Sequence, residues 1–537
     1  MVDLTTRLEA ATVPEQAPHL FEAAARARLP AGLVIPAGMM IAAAGAFLRL
    51  WHLGALGFNS DEAVYAGQAA SIAGDPTLKT LFPVFRAHPL LYQFLLALLF
   101  RGGSTDLIAR LLAVAFGIAT IYLVYRLGKL LYGQRVGLVA AALLALCPYH
   151  VIVTRQALLD GPLTFFATLT LYLVAKFAMT GLPTWLYAAG AGLGLTFLSK
   201  ETGLVFAPAT YAFLALVPTL RLRLRHLAGW ALCTAVVIAP FPLSLLLGGG
   251  SRTAQGFLVW QLFRASNHDW NFYLLQVTAA LGPLLLIVAL IALAESIGAW
   301  SWRETLLACW GAIPLLFFQV WPVKGFQYEL PVAVVAAVLA AKLLVGARPD
   351  RTLRRLPAAL VRAAPRGSTR GAVARALAVV ALLTSLGMAS WSRVSSAGST
   401  SFLAGSGGVP GGRETGRWLG ANTPPGSKLL AIGPSMSNIL AFYGHRRGYG
   451  LSVSPNPLHR NPAYEPVNNP DLLIRSDDVQ YLVWDSFTAA RTPFFTERLL
   501  RYVRRYHGRV VHSETVTIRQ GRVAATKPII IVYQVRP

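Results

Sequence analysis

HPLLYQFLLALLF, residues 88–100, is the stretch whose reading orients the whole chain. A helix rises about 1.5 Å per residue and the hydrocarbon core of a bilayer is about 30 Å thick, so this segment is too short to cross. It also begins with His88 and Pro89, which suit a turn at the membrane surface. We read it as a helix lying at or partly in the interface. Counting it as a crossing would turn every later loop to the opposite side.

Working outward from that stretch, spans are expected near 32–50, 107–126, 136–153, 161–178, 184–198, 203–218, 227–247, 272–293, 304–321, 329–346 and 376–394. With the N-terminus in the cytoplasm, eleven crossings give the inside loops Arg126, Lys129 and Arg135, then Lys176, then Arg221, Arg223 and Arg225, then Arg303. The largest cluster, Arg348, Arg351, Arg354, Arg355, Arg362, Arg366, Arg370 and Arg375, also falls inside. This is the lysine and arginine bias that cytoplasmic loops carry, and a twelfth span at 88–100 would reverse it. Residues 1–31 are polar, carry Arg7, Arg26 and Arg28, and lead into the first span without a small-residue cleavage site. They are expected to be a retained cytoplasmic segment, not a signal peptide.

Composition agrees with a bilayer as solvent. Of 537 residues, 55% are hydrophobic and only 13% charged, and the mean hydropathy is +0.53. A net charge of +25 could suggest a nucleic-acid partner, but the positive residues stand in short clusters between apolar runs, so no nucleic acid is expected. Cys147, Cys233 and Cys309 all lie within apolar runs, which excludes a disulfide framework in any water-exposed part.

An odd number of crossings places residues 395–537 outside. After the glycines Gly405, Gly407, Gly408, Gly411 and Gly412, the stretches 429–433 (LLAIG), 479–484 (VQYLVW), 510–518 (VVHSETVTI) and 528–535 (PIIIVYQV) read as strands. Helical pattern appears at 413–419 and 493–506. The expected division is a cytoplasmic segment at 1–31, a transmembrane domain at 32–394 and an extracytoplasmic α/β domain at 395–537.

Polar residues at the outer ends of the spans then converge on one compartment. Asp61 and Glu62 stand in NSDEAVY, His88 closes that loop, and Arg155 and Asp160 flank TRQALLDGP. Lys200 and Glu201 stand in LSKETG, Arg264, His268 and Asp269 in the long loop after the seventh span, and Lys324 and Tyr328 in WPVKGFQYELP. Each has a plain structural reading. Ser60 is suited to cap a helix whose dipole favours Asp61 and Glu62, Asp160 before Gly161-Pro162 can cap and turn, and Lys200 or Arg155 can snorkel to head groups. Trp185, Trp260, Trp270, Trp310 and Trp321 near span ends read as an interfacial belt. Drawn from many loops to one edge, the polar set reads as a site.

In this order and topology the motifs resemble the GT-C membrane glycosyltransferases, especially family 39, which includes protein O-mannosyltransferases and the lipid A aminoarabinose transferase. The likeness covers about residues 32–335 and rests on Asp61-Glu62, His88-Pro89, LLDGPL with Asp160, and LSKETG with Lys200 and Glu201. The family often has His-Pro-Pro where this chain has His88-Pro89-Leu90, and a basic residue near the position of Gln327.

The resemblance implies a polytopic α-helical membrane protein of GT-C type, in the plasma (inner) membrane, with its site and C-terminal domain extracytoplasmic. It implies transfer of a hexose or pentose from a polyprenyl-phosphate carrier to a protein, lipid or glycan acceptor, with inversion. Asp61 would be the general base, with Glu62 and Asp160 orienting it or the acceptor. His88, Arg155, Lys200, Glu201, Lys324 and Tyr328 would bind substrate, the cations neutralising the departing phosphate. No nucleotide-binding glycine loop stands in strand-to-helix context. A divalent metal near Asp61 and Asp160 is compatible with the spacing but not demanded by it. The rival readings are a transporter or flippase of lipid-linked sugars, which would place its polar groups nearer the bilayer midplane, and a non-catalytic envelope-assembly protein.

Overall fold

The structure is a computed structural model that describes residues 30–84, 88–220, 222–248, 251–297, 300–346, 369–395, 410–520 and 523–537. The expectations for the first 29 residues, for Arg221, for the arginines from 348 to 366 and for the glycines at 405–408 fall outside these residues.

Every segment expected to span is helical. Among the described residues four helices are long and apolar enough to cross a membrane: Gly32–Leu50, Asp106–Tyr132, Asp160–Thr180 and Gly371–Val394. Two bent pairs, Leu224–Ile238 with Pro240–Leu247 and Tyr273–Leu281 with Pro283–Glu295, raise the count to six by length and composition. That is fewer than the eleven crossings expected, because several of the remaining helices are short: Gln134–Leu146, Glu201–Leu216 and Val332–Val345 are apolar but of 10–17 residues.

The expected single span at 272–293 is broken by 97°. Gly282 takes a positive φ of 91° and Pro283 starts the second half, so the glycine supplies a backbone setting that L side chains rarely adopt and the proline removes a helical donor. The break at 224–247 is milder, 44°, and also falls at a proline, Pro240.

Sequence sets the ends of the long helices. Thr105 caps Asp106–Tyr132 by accepting from the Ile108 amide, and Gly133 at φ 100° ends it. Gly181 in the left-handed region ends Asp160–Thr180. The helices pack around one apolar core that includes Leu143, Leu171, Phe206, Phe213, Trp310 and Leu339. Leu33, Ile35, Met39 and Met40 on the first helix are each at least 60% exposed, a face that fits hydrocarbon and not water.

The segment that opened the reading forms helix Leu91–Phe100. At about 15 Å it covers half the hydrocarbon thickness. Tyr92, Gln93, Leu96, Ala97 and Phe100 pack inward while Phe94, Leu98 and Leu99 are exposed.

The C-terminal part is an α/β unit with a five-stranded sheet in the order β2-β1-β3-β5-β4. β1 (Lys428–Ala431), β2 (Arg447–Gly450) and β3 (Tyr481–Asp485) are parallel, whereas β5 (Val523–Gln534) runs antiparallel to β3 and to β4 (Arg509–Gln520). The four expected strands are all present. Strand β2 and helix Pro434–Gly444 between β1 and β2 were not expected. RGYG has too few apolar residues to announce a strand, and its pairing with β1 comes from the helix that returns the chain to the sheet.

That helix also docks the domain. It lies on helix Ser60–Ala73, where Phe58, Phe82, Ala441 and Phe442 share one apolar cluster. Arg413 adds an ion pair to Asp106 at 2.9 Å and donates to the carbonyls of Gly54 and Ala55. The first loop of the membrane part therefore lies beneath the C-terminal domain.

Candidate active site

The first loop is built around Arg110, one turn into helix Asp106–Tyr132. Its guanidinium donates to the carbonyls of Leu53, Leu56 and Gly57 and forms a two-pronged pair with Glu62, both N···O distances 2.8 Å. The Glu62 carboxylate also accepts from the Asn59 amide at 3.0 Å and the Ala157 amide at 2.9 Å. Glu62 is completely buried, and its four donors use both oxygens. Its surroundings are those of a loop anchor. Arg110 was missed in the sequence because it looks like one more charged residue at the start of a span; an arginine buried past a first-turn acid, Asp106, was the available signal.

The cap of helix Ser60–Ala73 is Asn59, not Ser60. Asn59 Oδ1 accepts from the Glu62 amide while Glu62 returns to the Asn59 amide, a reciprocal capping box. Its amide group also donates to Gln156 at 2.9 Å. Asp61, in the first turn, is left to the side of this box, where the helix dipole favours a negative charge.

Asp160 begins helix Asp160–Thr180 and accepts from Lys200 Nζ at 2.8 Å. Both residues are buried, 3% and 7% exposed. The Lys200 ammonium also lies 4.4 Å from the centre of the Tyr328 ring, so the lysine links the LLDGP, LSKETG and FQYELP motifs. Glu201 follows it at the start of a short 3-10 turn, Glu201–Val205.

Tyr65, one turn beyond Asp61, sits where these motifs meet. Burial first, then the charges of Asp61, Asp160 and Glu201, hold its phenol well above the ordinary tyrosine value. Tyr328 is likewise raised by burial, against the opposing pull of Lys200 and Arg264. Asp160 and Glu201 act on both tyrosines, Asp61 on Tyr65, and Lys200 and Arg264 on Tyr328. Tyr65 was not singled out in the sequence.

Other candidates sit further out. The His88 ring is 6.4 Å from Tyr65 and 6.3 Å from Phe257, centre to centre, and its Nδ1 lies 3.0 Å from the Pro89 carbonyl. Arg155 donates to the carbonyls of Leu48 and Trp51 at the end of the first helix, at 2.6 and 2.7 Å. Lys324 Nζ donates to the Gln319 and Trp321 carbonyls, and its backbone is clamped by the side chain of Asn267. Arg264 stacks on Trp260 at 4.5 Å, and His268 on Phe272 at 4.1 Å. Among the described residues no three His, Cys, Asp or Glu side chains gather as a metal site.

The described residues form a bundle of apolar helices with carboxylates and cations at the end that lies under an α/β domain. Residues 87–245 match the family described as dolichyl-phosphate-mannose-protein mannosyltransferase. ArnT from Cupriavidus metallidurans bound to undecaprenyl phosphate superposes with a TM-score of 0.62 at 14% identity, over 94% of this chain and 98% of that one. The archaeal oligosaccharyltransferase AglB from Archaeoglobus fulgidus, in complex with an inhibitory peptide and a dolichol-phosphate, gives 0.57 at 14% identity, over 92% and 74%. A search of curated proteins gave no significant match. The chain shares the fold of these two structures, and the family match over residues 87–245 agrees with the GT-C resemblance of its motifs.

Proposed function

We propose that this chain is a glycosyltransferase that moves a sugar from a polyprenyl-phosphate carrier to the hydroxyl of a protein, lipid or glycan acceptor, on the extracytoplasmic side of the plasma membrane. The observation that carries it is the buried Asp160–Lys200 pair together with Asp61 on an ordered helix start, at the end of the bundle that bears the C-terminal domain. The undecaprenyl phosphate in ArnT and the dolichol-phosphate in AglB support a carrier of that class.

In the reaction Asp61 takes the proton of the acceptor hydroxyl as its oxygen bonds to the anomeric carbon from the face opposite the carrier. The bond from that carbon to the phosphate oxygen breaks, both its electrons leave with the phosphate, and the configuration inverts. Lys200 meets the charge that develops on the phosphate, shared with Asp160 before donor arrives, and Tyr328 holds the ammonium from beneath. Asp160 keeps Lys200 in place. Glu62 acts through the loop it anchors. His88, Glu201 and Lys324 line the donor side. Arg155, with its donors given to two backbone carbonyls, acts by holding the first helix to the loop.

The 97° break at Gly282-Pro283 is the feature that favours a transporter of lipid-linked sugars, since broken helices form transport sites. Loss of one basicity separates the readings. Asp61→Asn keeps shape, so transfer should fall by about 10² to 10⁴-fold while undecaprenyl phosphate still binds. Mass spectrometry of envelope glycans in cells lacking the gene, restored with wild type or variant, reads the first, and binding in lipid nanodiscs the second. Wild-type glycans from Asp61→Asn would put the transporter first.

A further inference from the structure

The C-terminal domain reaches the start of the helix that carries Asp61. Asn438, in helix Pro434–Gly444, donates through Nδ2 to Ser60 Oγ at 3.1 Å, and the same amide lies 3.2 Å from the Tyr464 hydroxyl, which accepts from it. Ser60 is the residue before Asp61 in the sequence.

Tyr464 is presented by a locally specified turn. In Asn461-Pro462-Ala463-Tyr464 the Asn461 side chain accepts from the Ala463 amide at 3.0 Å, and the Tyr464 amide donates to the Asn461 carbonyl at 2.9 Å. Asparagine at the first position and proline at the second are what such a turn favours. Arg447 and Glu465 pair at 2.9 Å beside it. Pro462 comes against Gly256 of helix Ser251–Leu262, so the turn closes over the segment that leads to Arg264. Burial, opposed by the Asn438 hydrogen bond, raises the Tyr464 phenol; among the charges that act on it, Asp61 raises it and Arg264 lowers it.

Docking alone does not require this trio. Tyr443, which accepts from the Phe58 amide, the Arg413–Asp106 pair and the shared apolar cluster already hold the domain down. The trio instead ties two side chains of the C-terminal domain to the residue next to the proposed base. We infer that Asn438 and Tyr464 are positioning residues, which fix Ser60 and with it Asp61, and whose turn forms the wall past which an acceptor hydroxyl reaches that carboxylate. This rests on the transferase reading above. It makes the C-terminal domain a working part of the site.

The test uses the full chain in lipid nanodiscs, with Asn438→Ala, Asn438→Asp and, as a control on the far side of the domain, Arg505→Ala. Transfer is driven with a lipid extract of wild-type membranes as donor source, and donor-side binding is read with undecaprenyl phosphate. Asn438→Ala should lower turnover at saturating donor by about tenfold or more, because misplacing a reacting group by an ångström is that costly, while undecaprenyl phosphate affinity stays within about twofold. Hydrogen exchange of the peptide 57–66 should rise in Asn438→Ala and not in Arg505→Ala. Asn438→Asp can still accept from the Ser60 and Tyr464 hydroxyls, so turnover should return; its added charge raises the Asp61 pKa, so the acidic limb of the pH–rate profile should move to higher pH.

Unchanged exchange at 57–66 in Asn438→Ala overturns the positioning role, whatever the activity. So does a turnover loss that Asn438→Asp recovers at no pH, which is the behaviour of a packing contact. If wild type itself transfers no sugar, the transferase reading fails by that result, and the exchange measurement still decides whether Asn438 holds Ser60.

Discussion

The bundle holds two buried lysine–carboxylate pairs of nearly the same geometry, and their surroundings differ. At the end away from the C-terminal domain, Lys342 meets Glu304 at 2.6 Å and Ser296 at 2.8 Å. Glu304 also accepts from Tyr132 at 2.8 Å, from the Ser301 amide at 3.0 Å and from the Ser301 hydroxyl. At the domain end, Lys200 meets Asp160 at 2.8 Å and has no other hydrogen-bond acceptor among the described residues, only the face of Tyr328. The first pair is closed by three further residues, Ser296, Tyr132 and Ser301. The second leaves ammonium protons unspent among the described residues, with Glu201 following Lys200 in the chain. Taking ions out of water is costly unless their hydrogen bonds are made, so a closed pair is what structure alone selects and an open one is what a substrate phosphate can complete.

The comparison breaks most sharply on Lys342→Ala. It leaves Glu304, wholly buried, without its cation, and removing one partner of such a pair destabilises by about 3–5 kcal/mol. The thermal midpoint of the purified chain should fall steeply, while transfer per folded molecule stays at the wild-type level. A loss of transfer with unchanged melting would put the closed pair in the chemistry.

Lys200→Ala should show the reverse weighting. A charge-assisted hydrogen bond contributes about 1.5–3 kcal/mol, so undecaprenyl phosphate affinity should weaken by roughly 10 to 100-fold, with turnover falling as well. Calorimetry in nanodiscs gives the affinity. Unchanged affinity would return Lys200 to the class of lysines that only neutralise a neighbouring acid.

The smallest effect is expected at Glu329, between Tyr328 and the helix Val332–Val345. It is completely buried, and neither carboxylate oxygen has a hydrogen-bond partner among the described residues. Replacing an unpartnered polar group with an apolar one of similar size removes a desolvation cost, so Glu329→Met should raise the thermal midpoint by a few degrees and leave donor affinity unchanged. A fall in donor affinity would extend the open site to this carboxyl and blur the contrast between the two ends.

Legibility differed by residue. Asp61, Asp160, Lys200 and Tyr328 announced themselves as polar residues at span ends, and the structure does bring Asp160, Lys200 and Tyr328 into contact. Glu62 announced itself equally well, yet its carboxylate is filled by Arg110 and two backbone amides. Sequence cannot tell these cases apart, because the partner of Glu62 lies 48 residues away at the start of another helix. Arg155 shows the same limit: its donors turn to two carbonyls more than 100 residues earlier.

By itself the sequence determined that the chain belongs in a bilayer, where its long helices lie, that 91–100 is too short to cross, and that an α/β unit follows. These are properties of hydrophobic period and length, which are local and survive without knowledge of neighbours. Only the tertiary structure decided which buried charges are satisfied, how sharply the chain turns at Gly282, and that Asn438 and Ser60, 378 residues apart, meet beside Asp61. Those outcomes depend on which donors reach which acceptors once the core has packed, and a hydrogen bond between distant segments leaves no mark on the periodicity of either one.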